Sequence, residues 1–489
     1  MNYRPTIGLE IHAELATKTK MFCDSANDPD ETRPNVNVCP VCLAHPGTLP
    51  TINREAVRHV LRIGAALGSE LATVSEFDRK SYFYPDIPKG YQISQYEHPL
   101  VRGGSLAGIA ITRVHLEEDT ARSIHTHGKS LVDFNRAGIP LMELVTEPEI
   151  PDAETAGAFA RELQLLLRVL GASEANLEKG EMRIEANVSV AKLQEPNSKN
   201  QTRTNNQNSK LGTKVEVKNL NSFRSVERAI AYEIKRQTAL IEGGGKVVQE
   251  TRGWDEAKQQ TFHQRFKEGS ADYRYFPEPD LPKLLLTLIP EFSPEALSES
   301  LPELPWERRA RYQKMDIAPD HIEMFIADDR LGTVFESTLR LQPGAPRLVA
   351  NYIGSDIVGL IAAHGDTGLQ NITPEGLAAV LELYTTDKIS SRGVKDAITD
   401  AFVNGGDLKE ISKKYLQESS EAALEDVINA VLAEEVKAVA EYRAGKHAAL
   451  QYLVGKAMRK SGSAGNPTTL RKLFITKLST KNQIARTKQ

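Results

Sequence analysis

Three runs of this chain alternate between apolar and polar side chains, and that alternation constrains the fold more than any other feature. In IGLEIHAEL, Ile7, Leu9, Ile11 and Ala13 fall on one side of an extended backbone and Glu10, His12 and Glu14 on the other, because successive strand residues point to opposite faces. MRIEANVSV separates Met182, Ile184, Ala186, Val188 and Val190 from Arg183, Glu185, Asn187 and Ser189 in the same way, and TKVEVKNLN separates Val215 and Val217 from Lys214, Glu216 and Lys218. Strands with one apolar face belong to a sheet covered on one side, so their polar faces meet as a surface of carboxylates, cations and an imidazole. Glu117, Glu118 and Asp119 in VHLEEDTAR, and Glu143 and Glu147 in PLMELVTEPEI, fit the same surface. Carboxylates at that density repel unless a cation sits among them. Oxygen ligands with one imidazole suit Mg²⁺ or Mn²⁺, and Mg²⁺ keeps waters and nucleotide phosphates in its shell. For any one strand a solvated face with scattered ion pairs explains the pattern as well; several strands together weaken that explanation.

At 489 residues the chain exceeds one compact core and predicts two or three domains. Hydrophobic residues at 40% and charged residues at 26% exclude long disorder. No run approaches the ~20 apolar residues that span a bilayer. MNYRPTIGLE lacks a secretion signal, so the expectation is a cytoplasmic protein away from membranes. NREAVRHVLRIGAALGSEL places Val57, Val60, Leu61, Ile63, Ala66 and Leu67 at helical spacing behind an Asn53 N-cap. Up to about residue 290 helices and short strands mix in an α+β pattern; from ELPWERRARY onward amphipathic helices dominate. PELP and the Pro-rich stretch 276–290 mark the junction. Residues 195–212 are almost wholly polar and read as a long hairpin connection between MRIEANVSV and TKVEVKNLN.

KSYFYPDIPKGYQISQYEHPL is aromatic, Pro-rich and basic together and reads as a contact loop. Its Lys80 and Lys89 suit phosphate or developing charge, and Tyr82, Tyr84 and Tyr91 suit stacking; tyrosines packed inward on a rigid loop are the plainer alternative. Cys39-Pro-Val-Cys42 is a knuckle that offers two thiolates to Zn²⁺, with Cys23 as a third. A structural zinc takes four ligands, no fourth cysteine exists, and only His45 and Asp24 stand nearby. No GxxxxGK[ST] loop, GxGxxG turn or GxSxG elbow occurs, and no cysteine sits in a glutaminase setting. The net charge of −4 predicts no polyanion binding. After Glu441, however, there is no acid, while Arg443, Lys446, Lys456, Arg459, Lys460, Arg471, Lys472, Lys477, Lys481, Arg486 and Lys488 follow. Such a one-sign block suits a phosphate backbone, or else a solvated helix with a frayed end.

The runs IGLEIHAEL, MFCDSANDPDETRPNVNVCPVCLAHPGTLPTIN, FDRKSYFYPDIPKGYQISQY, HLEEDTARS, DFNRAGIPLMELVTEPEI, MRIEANVSV, KVEVKNLNSFRSVERAIAYEIKRQ and DYRYFPEPDLP, in this order, resemble the GatB family. YRAGKHAALQYLVGKAMRKSGSAGNP resembles that family's C-terminal tail. The resemblance implies a catalytic cradle over 1–292, a helical domain over 293–409, a YqeY-like tRNA-binding tail over 410–478 and a flexible basic end over 479–489. It implies a carbon–nitrogen ligase that uses ATP and Mg²⁺ to phosphorylate the Glu of Glu-tRNA(Gln) or the Asp of Asp-tRNA(Asn). Ammonia from an amidase A subunit, braced by a small C subunit, then displaces phosphate. Carried over by motif, Glu10, His12, Glu118, Glu143 and Glu185 would surround Mg²⁺ and the phosphoryl group, with Lys80, Lys89 and Arg183 toward the nucleotide. Lys80, Tyr82, Lys89, Glu118 and Glu143 would serve the reaction. Departures from the family pattern are Glu185 for a frequent Asp, Ser25 for a fourth Cys, Ser81 for Asn, Gly253 for a bulkier residue and a long 195–212 loop. An archaeal GatE-type subunit would carry a synthetase-like insertion that this sequence lacks. A non-catalytic tRNA-binding protein would have no use for the retained carboxylates.

Overall fold

The computed structural model describes residues 3–193, 211–266, 272–417, 421–461 and 465–486, except the side chains of 421–423 and 480–486. Most of the polar connection, residues 195–210, lies outside the described residues, as do Lys488 and the side chains of Lys481 and Arg486. Two compact units divide the chain, Met1–Pro305 and Trp306–Gln489, so the division falls at the end of PELP. The Pro-rich stretch instead belongs to the first unit, where Leu284–Leu285 pairs with Val74–Ser75 and Phe276–Pro277 with Asp78–Arg79.

The first unit is built on a ten-stranded sheet. Its main strands are β1 (Tyr3–Glu14), β4 (Ile109–Glu118), β5 (Pro140–Thr146), β6 (Met182–Lys192), β7 (Val215–Leu220), β8 (Glu250–Asp255) and β9 (Gln260–Phe266). They run in the order β9-β8-β7-β6-β1-β5-β4, followed by Val101–Arg102 and Glu70–Leu71. Neighbours along this path are antiparallel except β7 and β8. The expected hairpin of β6 and β7 is present. Between β1 and β4 the chain makes a further hairpin of β2 (Asp78–Ser81) and β3 (Tyr91–Ser94), with Lys80 opposite Gln92. The basic aromatic run is therefore a loop only at its tip. Its ends are short strands, because β3 has β4 to pack against.

Alternation sorts the sheet as the sequence requires. Ile7, Leu9, Ile11 and Ala13 are buried, as are Met182, Ile184, Ala186, Val188, Val190, Val215 and Val217. Helix α3 (Phe223–Glu242) packs on β6 and β7, α2 (Ala153–Val169) packs on α3, and α1 (Arg54–Ala66) packs on β4. Each helix starts where the sequence provides a cap. Asn53 accepts from the N–H groups of Glu55 and Ala56, Asp152 from Thr155, and Ser222 from Ser225, satisfying donors that the first helical turn leaves orphaned. On the opposite face of the sheet, along β1 and β6, Glu10, His12, Arg183 and Glu185 are only partly buried.

The second unit is all helical among its described residues. Its last helices, α4 (Glu421–Glu434), α5 (Val436–Arg443), α6 (Ala448–Lys460) and α7 (Pro467–Arg486), share a core of Leu424, Ile428, Val431, Leu450, Leu453, Leu470, Phe474 and Leu478. Asn466 caps α7 and ties this bundle to the preceding helices through Nδ2, which donates to the Asp387 carbonyl at 2.6 Å. Among the described residues no helix is long and apolar enough to cross a membrane.

Leu163 on α2 is fully buried. Leu163→Ala should therefore cost the first unit about 2–5 kcal/mol, seen as a lower urea midpoint at an unchanged slope. An unchanged midpoint would show that α2 does not hold the sheet.

Candidate active site

Strand register turns separate polar residues into one surface. His12 on β1 lies opposite Arg183 on β6 and Glu143 on β5, and Glu143 lies opposite His115 on β4. Glu117, two residues from His115, points to the same side. The ligand atoms of His12, Glu117 and Glu143 lie within 4.8 Å of one another. His12 Nε2 is 3.3 Å from Glu143 and 3.8 Å from Glu117; His115 Nε2 is 3.4 and 3.8 Å from the same two carboxylates. Ser94 Oγ donates to Glu117 at 3.0 Å.

Mutual charge keeps this group ionised despite burial. Desolvation favours neutral Glu143, yet His115, His12 and Lys80 hold it far below the usual carboxylate range. Glu117 is lowered against the same desolvation, first by hydrogen bonding from His115 and then by Lys80. Burial works against protonated His12, but Glu143 and Glu117 outweigh it and raise its pKa. Lys80 is raised against burial by Glu117, Tyr275 and Glu143, and its Nζ lies 5.1 Å from the Tyr273 ring centroid. Tyr82 stays protonated because burial and the charge of Glu117 both oppose a phenolate.

A second carboxylate group sits beside the first. Glu10 faces Glu185 across β1 and β6, and Asn187 faces Glu216 across β6 and β7. Glu10, Glu185 and Glu216 bring ligand oxygens within 4.8 Å of one another. Lys218 Nζ is 2.8 Å from Glu185, Asn187 Nδ2 donates to Glu10 at 2.8 Å, and Thr251 Oγ1 donates to Glu216 at 2.6 Å. At the other end of the surface, buried Asp119 takes Arg183 at 2.8 Å and Arg136 at 3.4 Å. Burial and the charge of Asp119 push the neighbouring Glu14 up to about 8.

The structure thus brings Glu10, His12, Glu143, Arg183, Glu185 and Lys80 onto one surface. Glu118, expected among the metal ligands, points away from it. Its carboxylate accepts from Lys89 Nζ at 2.6 Å and from the Ile93 N–H at 3.0 Å, and Glu117 takes the place beside His12. Glu147 is bonded by Thr112 Oγ1 instead. Glu216, His115 and Asn187 complete the arrangement. Their alternation was visible in the sequence, but which strands they would face was not.

The cysteines form a separate group. The three Sγ atoms lie within 4.8 Å of one another, with Cys39 and Cys42 3.9 Å apart. Ser25 Oγ is 3.8 Å from Cys42 Sγ, where a fourth ligand would stand. Buried Lys20 reaches Cys42 at 3.8 Å and donates to the Phe134 carbonyl at 3.1 Å. The Cys23 thiol, the Cys39 N–H and the Lys20 charge pull Cys42 down to about 4 against its burial. Three sulfurs suit zinc but do not complete its usual set, and the Lys20 amine already lies against Cys42. A cavity of about 190 Å³ lies between this group and the Lys89–Glu118 pair, lined by Cys23, Cys42, His45, Lys89, Glu118 and Gly138. Gly138 adopts φ +84° there, a conformation that disfavours a side chain.

Residues 5–288 match the family described as GatB/GatE catalytic domain, and residues 333–478 match a family described as GatB domain. A Thermus thermophilus protein, named as the B subunit of an aspartyl/glutamyl-tRNA(Asn/Gln) amidotransferase, is 42% identical, with 97% of this chain and 98% of that protein aligned. The chain belongs to the GatB family. Another GatB relative, from Anaeromyxobacter sp., is 40% identical over 98% of this chain and 99% of its own length. A Sorghum bicolor relative, named as the chloroplastic/mitochondrial B subunit of a glutamyl-tRNA(Gln) amidotransferase, is 39% identical over 98% and 87%.

In this GatB chain Lys89 and Glu118 are a mostly buried pair, and removing one partner strands the other. Glu118→Ala should cost about 3–5 kcal/mol, more than Glu118→Gln, which keeps an acceptor for the Ile93 N–H. A wild-type urea midpoint in Glu118→Ala would refute the pairing.

Proposed function

We propose that this chain activates the mischarged amino acid in a glutamyl-tRNA(Gln)/aspartyl-tRNA(Asn) amidotransferase. The observation that carries this reading is the pair of adjacent carboxylate groups, flanked by Lys80 and Arg183, on one face of a GatB-family sheet. In the first step the side-chain carboxylate of tRNA-bound Glu or Asp attacks the γ-phosphorus of ATP and ADP leaves. In the second, ammonia attacks the acyl carbon, and phosphate departs with the former carboxylate oxygen. Phosphorylation is needed because an oxide is a poor leaving group and phosphate a good one.

The donor set fits a hard cation: oxygen-rich, with His12 as the imidazole ligand. His12, Glu117 and Glu143 would hold one Mg²⁺, and Glu10, Glu185 and Glu216 a second, here balanced by Lys218. When bound, Mg²⁺ would neutralise charge on the phosphates. Lys80 remains cationic beside these groups and offsets charge on the transferring phosphoryl group. Arg183, oriented by Asp119, presents a fixed guanidinium on the same face. Lys89, with Glu118, stands at the cavity wall, and by the family resemblance Lys80, Tyr82 and Lys89 would form the reaction pocket that ammonia reaches.

Relatives named as B subunits support a multi-subunit assembly, in which an amidase A subunit would supply the ammonia and a small C subunit would complete a heterotrimer. In the second unit Arg459, Lys460, Arg471 and Lys472 are exposed on α6 and α7, which supports tRNA contact by the tail.

Co-expression with candidate A and C subunits should give amidation of at least one of the two mischarged tRNAs, dependent on ATP and glutamine. Activity on neither overturns the reading. Glu117→Ala should lower amidation by roughly 10²-fold or more while tRNA affinity holds; full activity would sink the metal assignment. Replacing Arg471 and Lys472 with Ala should weaken tRNA binding and reduce the slope of log affinity against log salt by about 2. An unchanged slope would remove these residues from the contact.

A further inference from the structure

A series of tyrosines runs along the β2–β3 hairpin and the segment that pairs with it. Tyr84, Tyr82, Tyr273 and Tyr275 meet in turn edge to face, with ring centroids 6.0, 6.3 and 6.0 Å apart. The series ends differently. Tyr96 lies parallel to Tyr275, with 4.4 Å between centroids and 12° between planes. One face of the Tyr96 ring is thereby covered, yet the residue is 55% exposed, so its second face is open to water. Both rings are held from behind. Buried Asp78 accepts from the N–H groups of Tyr96 at 2.8 Å and Glu97 at 3.3 Å, and Tyr275 leads into Phe276–Pro277, which pairs with β2. A ring fixed in this way loses little freedom when a ligand stacks on it.

The pair stands beside the carboxylate surface. Tyr96 follows by two residues Ser94, whose Oγ donates to Glu117. Burial, opposed by the charge of Lys80 and reinforced by those of Glu117 and Glu143, pushes the Tyr275 hydroxyl up to about 12. An open aromatic face suits a second planar ring laid parallel and offset, and unpaired nucleobases stack on tyrosine in this way. Both substrates of the activation reaction carry adenosine: ATP, and the unpaired 3′ end of the tRNA to which the amino acid is attached. We propose that Tyr96, backed by Tyr275, is a stacking platform for the adenine of an adenosine-bearing substrate, whose charged or reacting end reaches the carboxylates and Lys80. The inference rests on the reaction proposed above and supplies the apolar contact that carboxylates and cations do not.

The test compares each substrate with a version that lacks the adenine, by equilibrium binding to the co-expressed complex. ATP is set against inorganic tripolyphosphate, both with Mg²⁺, and tRNA(Gln) against the same tRNA shortened by its 3′-terminal adenosine. Tyr96→Leu should weaken at least one of the two intact substrates by about tenfold or more and leave its adenine-free counterpart unchanged. Which substrate responds shows whether the stacked base belongs to ATP or to the tRNA. Tyr96→Phe, which keeps the ring, should bind as wild type does, showing that the loss in Tyr96→Leu is not misfolding. Wild-type affinity of Tyr96→Leu for both ATP and tRNA would overturn the inference alone. So would an equal loss for the adenine-free ligands, which marks a structural role. A wild-type complex that binds neither ATP nor tRNA would overturn it together with the reading on which it rests.

Discussion

Glu10 and Glu185 stand directly opposite each other on neighbouring strands, and like charges in that position push strands apart. The surrounding polar structure offsets that repulsion. Lys218 balances Glu185, the Asn187 amide holds Glu10, His12 and His115 bridge Glu117 and Glu143, and Arg183 with Arg136 surrounds Asp119. The apolar reverse face of the same strands supplies the stability that this arrangement does not, since buried ion pairs seldom gain more than they lose in desolvation. Such a concentration of compensated charge marks a place where a ligand's charge is to be received.

Much of this was legible in the sequence for a simple reason. The side-chain period of a strand is two, so IGLEIHAEL and MRIEANVSV name their buried and polar faces without reference to anything else. Asn53 is equally self-evident as a cap, because the apolar helical spacing begins just after it. The α+β cradle and the helical second half follow from where the periodicity changes.

What the sequence did not disclose is register. His115 meets Glu143, and Asn187 meets Glu216, only because β4, β5, β6 and β7 align as they do, and no local pattern encodes that alignment. HLEED also presents three acids in a row, so residue type alone cannot choose between Glu117 and Glu118. Alternation from His115 decides it, once His115 is known to face the site. Tyr273 and Tyr275 reach Lys80 across almost two hundred positions of chain, and their approach was invisible for the same reason. The cysteines show the converse case. Their spacing suggested a metal, while the buried lysine whose amine lies against Cys42, Lys20, sits in an unremarkable stretch before the first of them.

Oxygen labelling tests most directly whether the substrate carboxylate is phosphorylated before nitrogen arrives. Glu-tRNA(Gln) or Asp-tRNA(Asn) carrying ¹⁸O in the side-chain carboxylate would be amidated by the complex with ATP and glutamine, and the inorganic phosphate analysed by mass spectrometry. Phosphoryl activation puts one ¹⁸O atom in each phosphate released per amide formed from fully labelled carboxylate. Amide formation with phosphate free of ¹⁸O would contradict it.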